Sequence, residues 1–237
     1  MIRSQAPSAF EPTELVFDGQ ESERKGPDFG QRGARAGALS FELFESTKAL
    51  SAVARFLLLY SSVYGCSRQI CERIQSLLQQ AGQAVTVAAL TDKELDLAAF
   101  DVIVIGASIK HGKHNPTVIS FIRQHQALLA TKPSALFSVN LVARKPGKNT
   151  PQTNPYLKRL VAESPWKPSL LGVFAGELDY SRYGPIDKHM MRLVMWINQG
   201  PTDLNAKVQF TNWQDVERFA AQVAALAAPA TGSMAAA

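Results

Sequence analysis

The chain predicts an α/β fold: a doubly wound, five-stranded parallel sheet with helices on both faces. Short apolar runs alternate with amphipathic helical patterns between residues 54 and 227. The strand runs are apolar throughout, as expected when both faces of a sheet are covered. Three of these strands end in loops rich in Ser, Gly, Asn or basic residues. Open parallel sheets bind their ligands beyond the carboxyl ends of the strands, at the point where strand order reverses.

The elements follow in order. Residues 56–60 form a leucine-rich central strand. The helix at 67–81 carries Ile70, Ile74, Leu77 and Leu78 on one face and stops at Gly82. A second strand covers 85–89. The third, 102–106, is the β-branched run Val-Ile-Val-Ile followed by glycine. A helix spans 117–129, with Pro116 in its first turn. The fourth strand is 134–139, a short helix covers 154–163, and the fifth strand is 170–175. A short edge strand falls at 207–211, and the last helix runs over 215–226. Residues 1–53 mix Gly, Pro, Ser, Glu and Arg without a period and read as a disordered extension, with a short helix open to 39–53. Residues 228–237 read as a disordered tail. The predicted domain is therefore 54–227.

Composition narrows the function. The chain has 237 residues, 46% of them hydrophobic, enough for one domain with a sizeable core. No apolar run approaches the roughly 18 residues of a membrane span. Neither a secretory signal nor a transit peptide is expected: no basic-then-apolar segment opens the chain, and Glu11, Glu14, Asp18, Glu21 and Glu23 crowd its start. Cys66 and Cys71 fit neither a zinc site nor a redox pair and read as reduced thiols. His111 and His114 lack neighbouring Cys or carboxylate ligands, so no metal is expected. The net charge is +5 and the pI about 9.3. Such a balance suggests an acidic partner: nucleic acid, anionic lipid or a polycarboxylate. The charge is clustered. Arg144, Lys145, Lys148, Lys158 and Arg159 lie between Leu141 and Ala162 with no acid among them. That cluster suits carboxylates or an anionic surface; a merely solvated loop would look the same.

The first strand end carries the most chemistry: Tyr60-Ser61-Ser62-Val63-Tyr64-Gly65-Cys66-Ser67. An apolar strand stops at hydroxyls and one glycine, and a helix begins at once. Backbone N–H groups at a helix N-terminus and the helix dipole attract anions, and glycine admits close backbone approach. The loop has neither the three glycines of a dinucleotide fingerprint nor the Gly-Lys-Ser/Thr of a Walker loop. A single glycine among hydroxyls suits a monophosphate. Helix capping alone is the alternative.

These residues resemble the flavodoxin loop signature, met by Leu58, Leu59, Tyr60, Ser62 and Gly65. Ser67 replaces the usual Thr, and Cys71 stands where a small alanine is usual. A narrower resemblance is to the bacterial menaquinone-dependent protoporphyrinogen IX dehydrogenases. It rests on Val102–Ile109, on Ser138-Val139-Asn140-Leu141-Val142-Ala143-Arg144-Lys145-Pro146, and on Thr150-Pro151-Gln152-Thr153-Asn154. Trp166, Ala175-Gly176, Tyr180, Arg182-Tyr183, Met190 and Thr211-Asn212-Trp213 extend it. It covers residues 55–226. The loop Lys110-His111-Gly112-Lys113-His114 departs from that family, and residues 1–53 have no counterpart in it.

The resemblance implies a flavodoxin-like sheet of order 2-1-3-4-5 and an FMN cofactor. It implies oxidation of protoporphyrinogen IX to protoporphyrin IX, a haem-biosynthetic step, with menaquinone or ubiquinone as acceptor. The place implied is peripheral, on the cytoplasmic face of the bacterial inner membrane. The FMN-binding residues are expected to be Ser61, Ser62, Val63, Tyr64, Gly65, Cys66 and Ser67 at the phosphate, with Ser108, Ile109, His111, Gly112, Ser138, Val139, Asn140 and Leu141 at the ring. No nucleic acid is expected as partner; a homo-oligomer is compatible with this reading. An NAD(P)H:quinone reductase or a flavodoxin-type electron carrier is the alternative, although a carrier's usual acidic surface is missing.

One segment exceeds ordinary loop length. Residues 177–206, associated with the fifth strand, form an insertion containing Tyr180, Arg182 and Tyr183 and a helical stretch over 186–197. There Ile186, Met190, Leu193, Val194 and Ile197 share one face, Met191, Met195 and Trp196 broaden it, and Lys188 and Arg192 add charge. Such a face suits a membrane interface or a flat apolar ligand, and an ordinary buried helix has the same pattern. A lipid-dissolved quinone favours the interface. The substrate or membrane contacts are accordingly expected at Arg144, Lys145, Tyr180, Arg182, Tyr183, Met190 and Leu193. Glu177, Asp179 and Asp187 are the acids at hand for a base, and the catalytic residue is left unassigned.

Overall fold

The structure is a computed structural model that describes residues 53–92 and 94–227. The expectations for 1–52 and 228–237 lie outside the described residues.

The elements are β1 (Arg55–Ser61), α1 (Cys66–Gln80), β2 (Ala84–Ala89), β3 (Val102–Lys110), β4 (Lys113–His114), α2 (Pro116–Gln124), α3 (Gln126–Thr131), β5 (Ser134–Val139), α4 (Pro155–Glu163), β6 (Leu170–Phe174), β7 (Glu177–Asp179), α5 (Pro185–Ile197), β8 (Lys207–Gln209) and α6 (Trp213–Ala225). The strands β2-β1-β3-β5-β6 pair in that order and all in parallel. Counted among parallel strands alone, this is the predicted 2-1-3-4-5. The strand count itself needs one addition. β3 runs past Gly106 to Lys110, and the chain then turns at His111 and Gly112, both with positive φ (50° and 74°). β4 returns antiparallel onto β3 as a sixth, two-residue strand.

Side-chain alternation sends the strands' apolar residues to two cores. Leu57, Leu59, Ile103, Ile105 and Leu136 meet Val118, Ile122, Leu157 and Leu160 of α2 and α4. Phe56, Leu58, Val104 and Phe137 meet Ile70, Ile74 and Leu78 of α1 and Val216, Phe219 and Val223 of α6. Gly106 is required between them: a Cβ there would stand 2.2 Å from the Phe137 ring.

Two predicted elements differ. The helix expected over 117–129 breaks at His125, whose backbone (φ −107°, ψ 17°) caps α2 and precedes α3. The strand expected at the sheet edge, β8, pairs instead with β7 in a separate two-stranded antiparallel sheet. The insertion has its own core of Leu178, Tyr180, Tyr183 and Met195, and that core draws β8 away from the main sheet.

His114 links β4 to the sheet through Nε2 and the Ser138 hydroxyl, 2.9 Å apart. Burial lowers its pKa from 6.5 to about 4, against a weaker opposing pull from Glu163. Between those values the unfolded chain takes up a proton that the folded protein refuses, so this contribution to stability is lost as pH falls from 6.5 towards 4. In urea titrations at pH 7 and pH 4.5, His114→Gln should shrink the acid-side loss of unfolding free energy by about 2–3 kcal/mol relative to wild type.

Candidate functional site

The loop between β1 and α1 is built as an anion cradle. Gly65 takes φ 92° immediately before the helix, a conformation that costs glycine little. Its N–H donates to the Ser62 hydroxyl at 3.0 Å. From β3, the Ser108 hydroxyl accepts from Val63 N–H (3.3 Å) and donates to the Ser61 carbonyl (3.2 Å), bracing the loop on the sheet. No side chain caps the N-terminus of the 15-residue α1, which leaves helix-end N–H groups without intrahelical partners. Ser67 is 0% exposed, and its Oγ is the buried side-chain polar atom left without a hydrogen-bond partner among the described residues. Buried hydroxyls are rarely left so, and a phosphate over the helix end would satisfy Ser67 and the open N–H groups together. The residues thus fit a phosphate-bearing cofactor. Burial pushes the Cys66 thiol up in pKa, and its Sγ accepts from Glu177 N–H at 3.3 Å.

Beyond the loop lies a narrow cavity of about 70 Å³, walled by Ser62, Tyr64, Cys66, Ser108, Ile109, Lys110, His111, Val139, Asn140 and Leu141 on the sheet side. Gly176, Glu177, Tyr183, Asp187, Met190 and Met191 complete it from the insertion. Asp187, in the first turn of α5, closes it. Its carboxylate lies 2.9 Å from His111 Nε2 and 3.3 Å from Lys110 Nζ, and it accepts from the Tyr64 hydroxyl at 3.3 Å. The His111 hydrogen bond, with Lys110 behind it, holds the Asp187 carboxyl below the usual range. It is an anionic clasp. Tyr183 packs edge-on against Tyr64, ring centroids 4.7 Å apart.

A second cavity, about 370 Å³, shares Ile109, His111, Asn140, Leu141, Met190 and Met191 with the first. Val142, Val194 and Met195 extend its apolar lining, and Arg144, Tyr156 and Asn198 supply polar groups. The roof is α5. Its far end is held by Arg144, which donates to the Asn198 carbonyl (2.9 Å) and the Leu141 carbonyl (3.2 Å), and by Lys145, which donates to Asn198 Oδ1 (2.7 Å). Cations at a helix C-terminus satisfy open carbonyls and the dipole together.

Most of the expected residues converge. Ser61, Val63, Gly65 and Ser67 build the cradle, while Ser62, Tyr64, Cys66, Ser108, Ile109, His111, Val139, Asn140 and Leu141 line the first cavity; Gly112 lines the second. Ser138 does not reach either. It pairs with Ala107, one position out of phase with Ser108 and Val139, and its side chain is spent on His114 and Asn140. Tyr180 is another correction: it is fully buried in the insertion core, its hydroxyl donating to the Pro201 carbonyl. Arg182 donates to the Tyr64 carbonyl at 2.6 Å and pairs with Glu177 and Asp179, pinning the insertion to the cradle's outer side. Arg144 and Lys145 serve the α5 terminus. Leu193 points outward with Ile186, Trp196 and Ile197, at 55%, 84%, 71% and 65% exposure, so the apolar stripe of α5 is not a core face. Lys110, Gly176 and Met191 are wall residues that the sequence pattern did not assign to the site. Gly176 had a signal, since it follows the last parallel strand as the other loops follow theirs.

The Flavodoxin domain family matches residues 57–205. Protoporphyrinogen IX dehydrogenase (quinone) of Escherichia coli strain K12 is 39% identical over 171 residues, 72% of this chain and 94% of that protein. The Leishmania major protein of the same name is 38% identical over 172 residues, 72% of this chain and 74% of its own length. Among solved structures, a flavodoxin from the domain Archaea covers 73% of this chain and 98% of its own at 15% identity and TM-score 0.42. Flavodoxin 2 from Bacillus cereus covers 72% and 98% at 19% identity and TM-score 0.42. The chain belongs to the flavodoxin domain family and, within it, to the protoporphyrinogen IX dehydrogenases (quinone).

Proposed function

We propose that this protein is an FMN enzyme that oxidises protoporphyrinogen IX to protoporphyrin IX and passes the electrons to a membrane quinone. The observation that carries the reading is the roofed, methionine-lined cavity opening directly from the cofactor cavity. An electron carrier has no use for a substrate chamber beside its flavin, whereas a flat macrocycle needs one. FMN, when bound, would supply two-electron redox chemistry between the substrate and the quinone.

The chain's own groups bind and shield. Ser67 Oγ and the N–H groups at the start of α1 would hold the phosphate. Ser108, Ile109, Asn140 and Leu141, which line the adjoining cavity, would hold the ring. The Asp187 clasp keeps water from the ring cavity, and Met190, Met191, Val194 and Met195 give the macrocycle an apolar surface that adapts to its shape.

The enzyme works peripherally at the cytoplasmic face of the membrane, with α5 as its contact. Six of the eight exposed large hydrophobics among the described residues lie on that helix: Ile186, Met190, Leu193, Val194, Trp196 and Ile197. Lys188 and Arg192 flank them, the composition of an interfacial helix. No helix among the described residues is long and apolar enough to cross a bilayer.

Three outcomes test this reading. Ser67→Ala should weaken FMN binding about 10- to 100-fold, since a charge-assisted hydrogen bond contributes about 1.5–3 kcal/mol; flavin-fluorescence titration of the apoprotein reads it, and unchanged affinity removes Ser67 from the cradle. Anaerobic turnover of protoporphyrinogen IX with menaquinone should raise porphyrin fluorescence above the protein-free control, and no rise rejects the activity. The double variant Leu193→Glu, Ile197→Glu should keep FMN yet lose co-sedimentation with anionic vesicles. Retained vesicle binding, or a stable dimer in solution that the variant dissociates, assigns the α5 face to something other than lipid.

A further inference from the structure

A third cavity, about 290 Å³, lies on the other side of Tyr156 and Gly112, two residues that it shares with the methionine-lined one. Its character is different. Lys113, Arg123 and Arg159 line it, with Glu163 as the acid among its walls. Glu163 is engaged by Arg159, whose Nε lies 2.8 Å from its carboxylate. Lys113 and Arg123 have no ion-pair partner among the described residues. His114, also in the wall, is neutral at physiological pH. The cavity therefore carries a net positive charge that nothing in the described fold neutralises.

The bases nearer the cofactor are not free for such work. Arg144 donates to two carbonyls and Lys145 to Asn198, so both hold α5 in place. A substrate carboxylate drawn to them would compete with the roof of its own chamber. Lys113 and Arg123 are exposed at a cavity wall without such duties.

The proposed substrate has the matching polarity: an apolar macrocycle with both carboxylates on one edge. Resting on the function proposed above, we propose that Lys113 and Arg123, the two bases of this cavity without an ion-pair partner, form a carboxylate subsite that binds the propionate edge of the tetrapyrrole. The apolar cavity takes the ring, Tyr156 stands at the junction, and the subsite fixes which edge of the macrocycle faces away from the cofactor. A charge-assisted contact to a carboxylate is stronger than a neutral one, so the subsite discriminates the diacid from its ester.

The test uses FMN-loaded protein and the double variant Lys113→Gln, Arg123→Gln, with protoporphyrinogen IX and its dimethyl ester as paired substrates. Wild type should prefer the diacid in kcat/KM by about 10- to 100-fold. The variant should lose that preference through a raised KM for the diacid, with the ester's parameters and the FMN affinity unchanged. In parallel, fluorescence titration with protoporphyrin IX and its dimethyl ester measures the same preference in binding, without turnover. Preference for the diacid in binding, abolished by the variant, supports the subsite even if neither compound is oxidised, in which case the proposed activity alone fails. A wild type indifferent to esterification, or a variant that keeps the wild-type preference, overturns the subsite.

Discussion

The insertion helix α5 buries one residue, Met195, and a single buried side chain contributes only about 1.5–3 kcal/mol. Burial alone therefore does not decide where α5 lies. Polar ties at its two ends do: Asp187 to Tyr64, Lys110 and His111 at the N-terminus, and Asn198 to Arg144 and Lys145 at the C-terminus. Each end is bonded to a loop that follows a parallel strand, so the sheet's carboxyl edge serves as both floor and anchor. Every cavity next to the cofactor cradle depends on that arrangement. It also leaves Ile186, Leu193, Trp196 and Ile197 facing outward, while Met191 and Met195 pack inward on the insertion core.

How much of this was legible in the sequence follows from what leaves a trace there. Strands buried on both faces appear as unbroken apolar runs, and the cradle appears as hydroxyls and a glycine between a strand and a helix; both were found where the structure has them. The stripe on α5 was equally legible, but periodicity reports that a face is apolar and not which way it looks. The buried Met195 is one of the residues that broaden the stripe, not one of the five that define it. Ser108 and Ser138 looked equivalent because a strand apolar on both faces hides its own parity; a single register step separates the one that braces the loop from the one turned towards His114. β4 rests on a positive φ at His111, a non-glycine residue that signals nothing of the kind. The pairing of β7 with β8 is non-local and leaves no pattern in either segment.

Charge was the least legible feature. Arg144 and Lys145 stand out as a basic pair, yet their partners are carbonyls and an amide rather than an anion. Lys113 and Arg123 lie apart in sequence, and only the β4 hairpin and the last turn of α2 bring them to one cavity. A run of like charges records composition, whereas a site needs groups that remain free once the fold has taken what it requires.

The small β7–β8 ladder sets Glu177 opposite Gln209, and the Thr211 hydroxyl fastens the returning chain to the Ala175 carbonyl. The insertion therefore leaves the parent domain and rejoins it at almost the same point. A detour with adjoining ends adds little closure entropy and disturbs no strand of the main sheet. The α/β domain is in this sense complete without it. An architecture of this kind lets a cofactor scaffold gain a substrate chamber by a single local acquisition, with the inherited core left as it was.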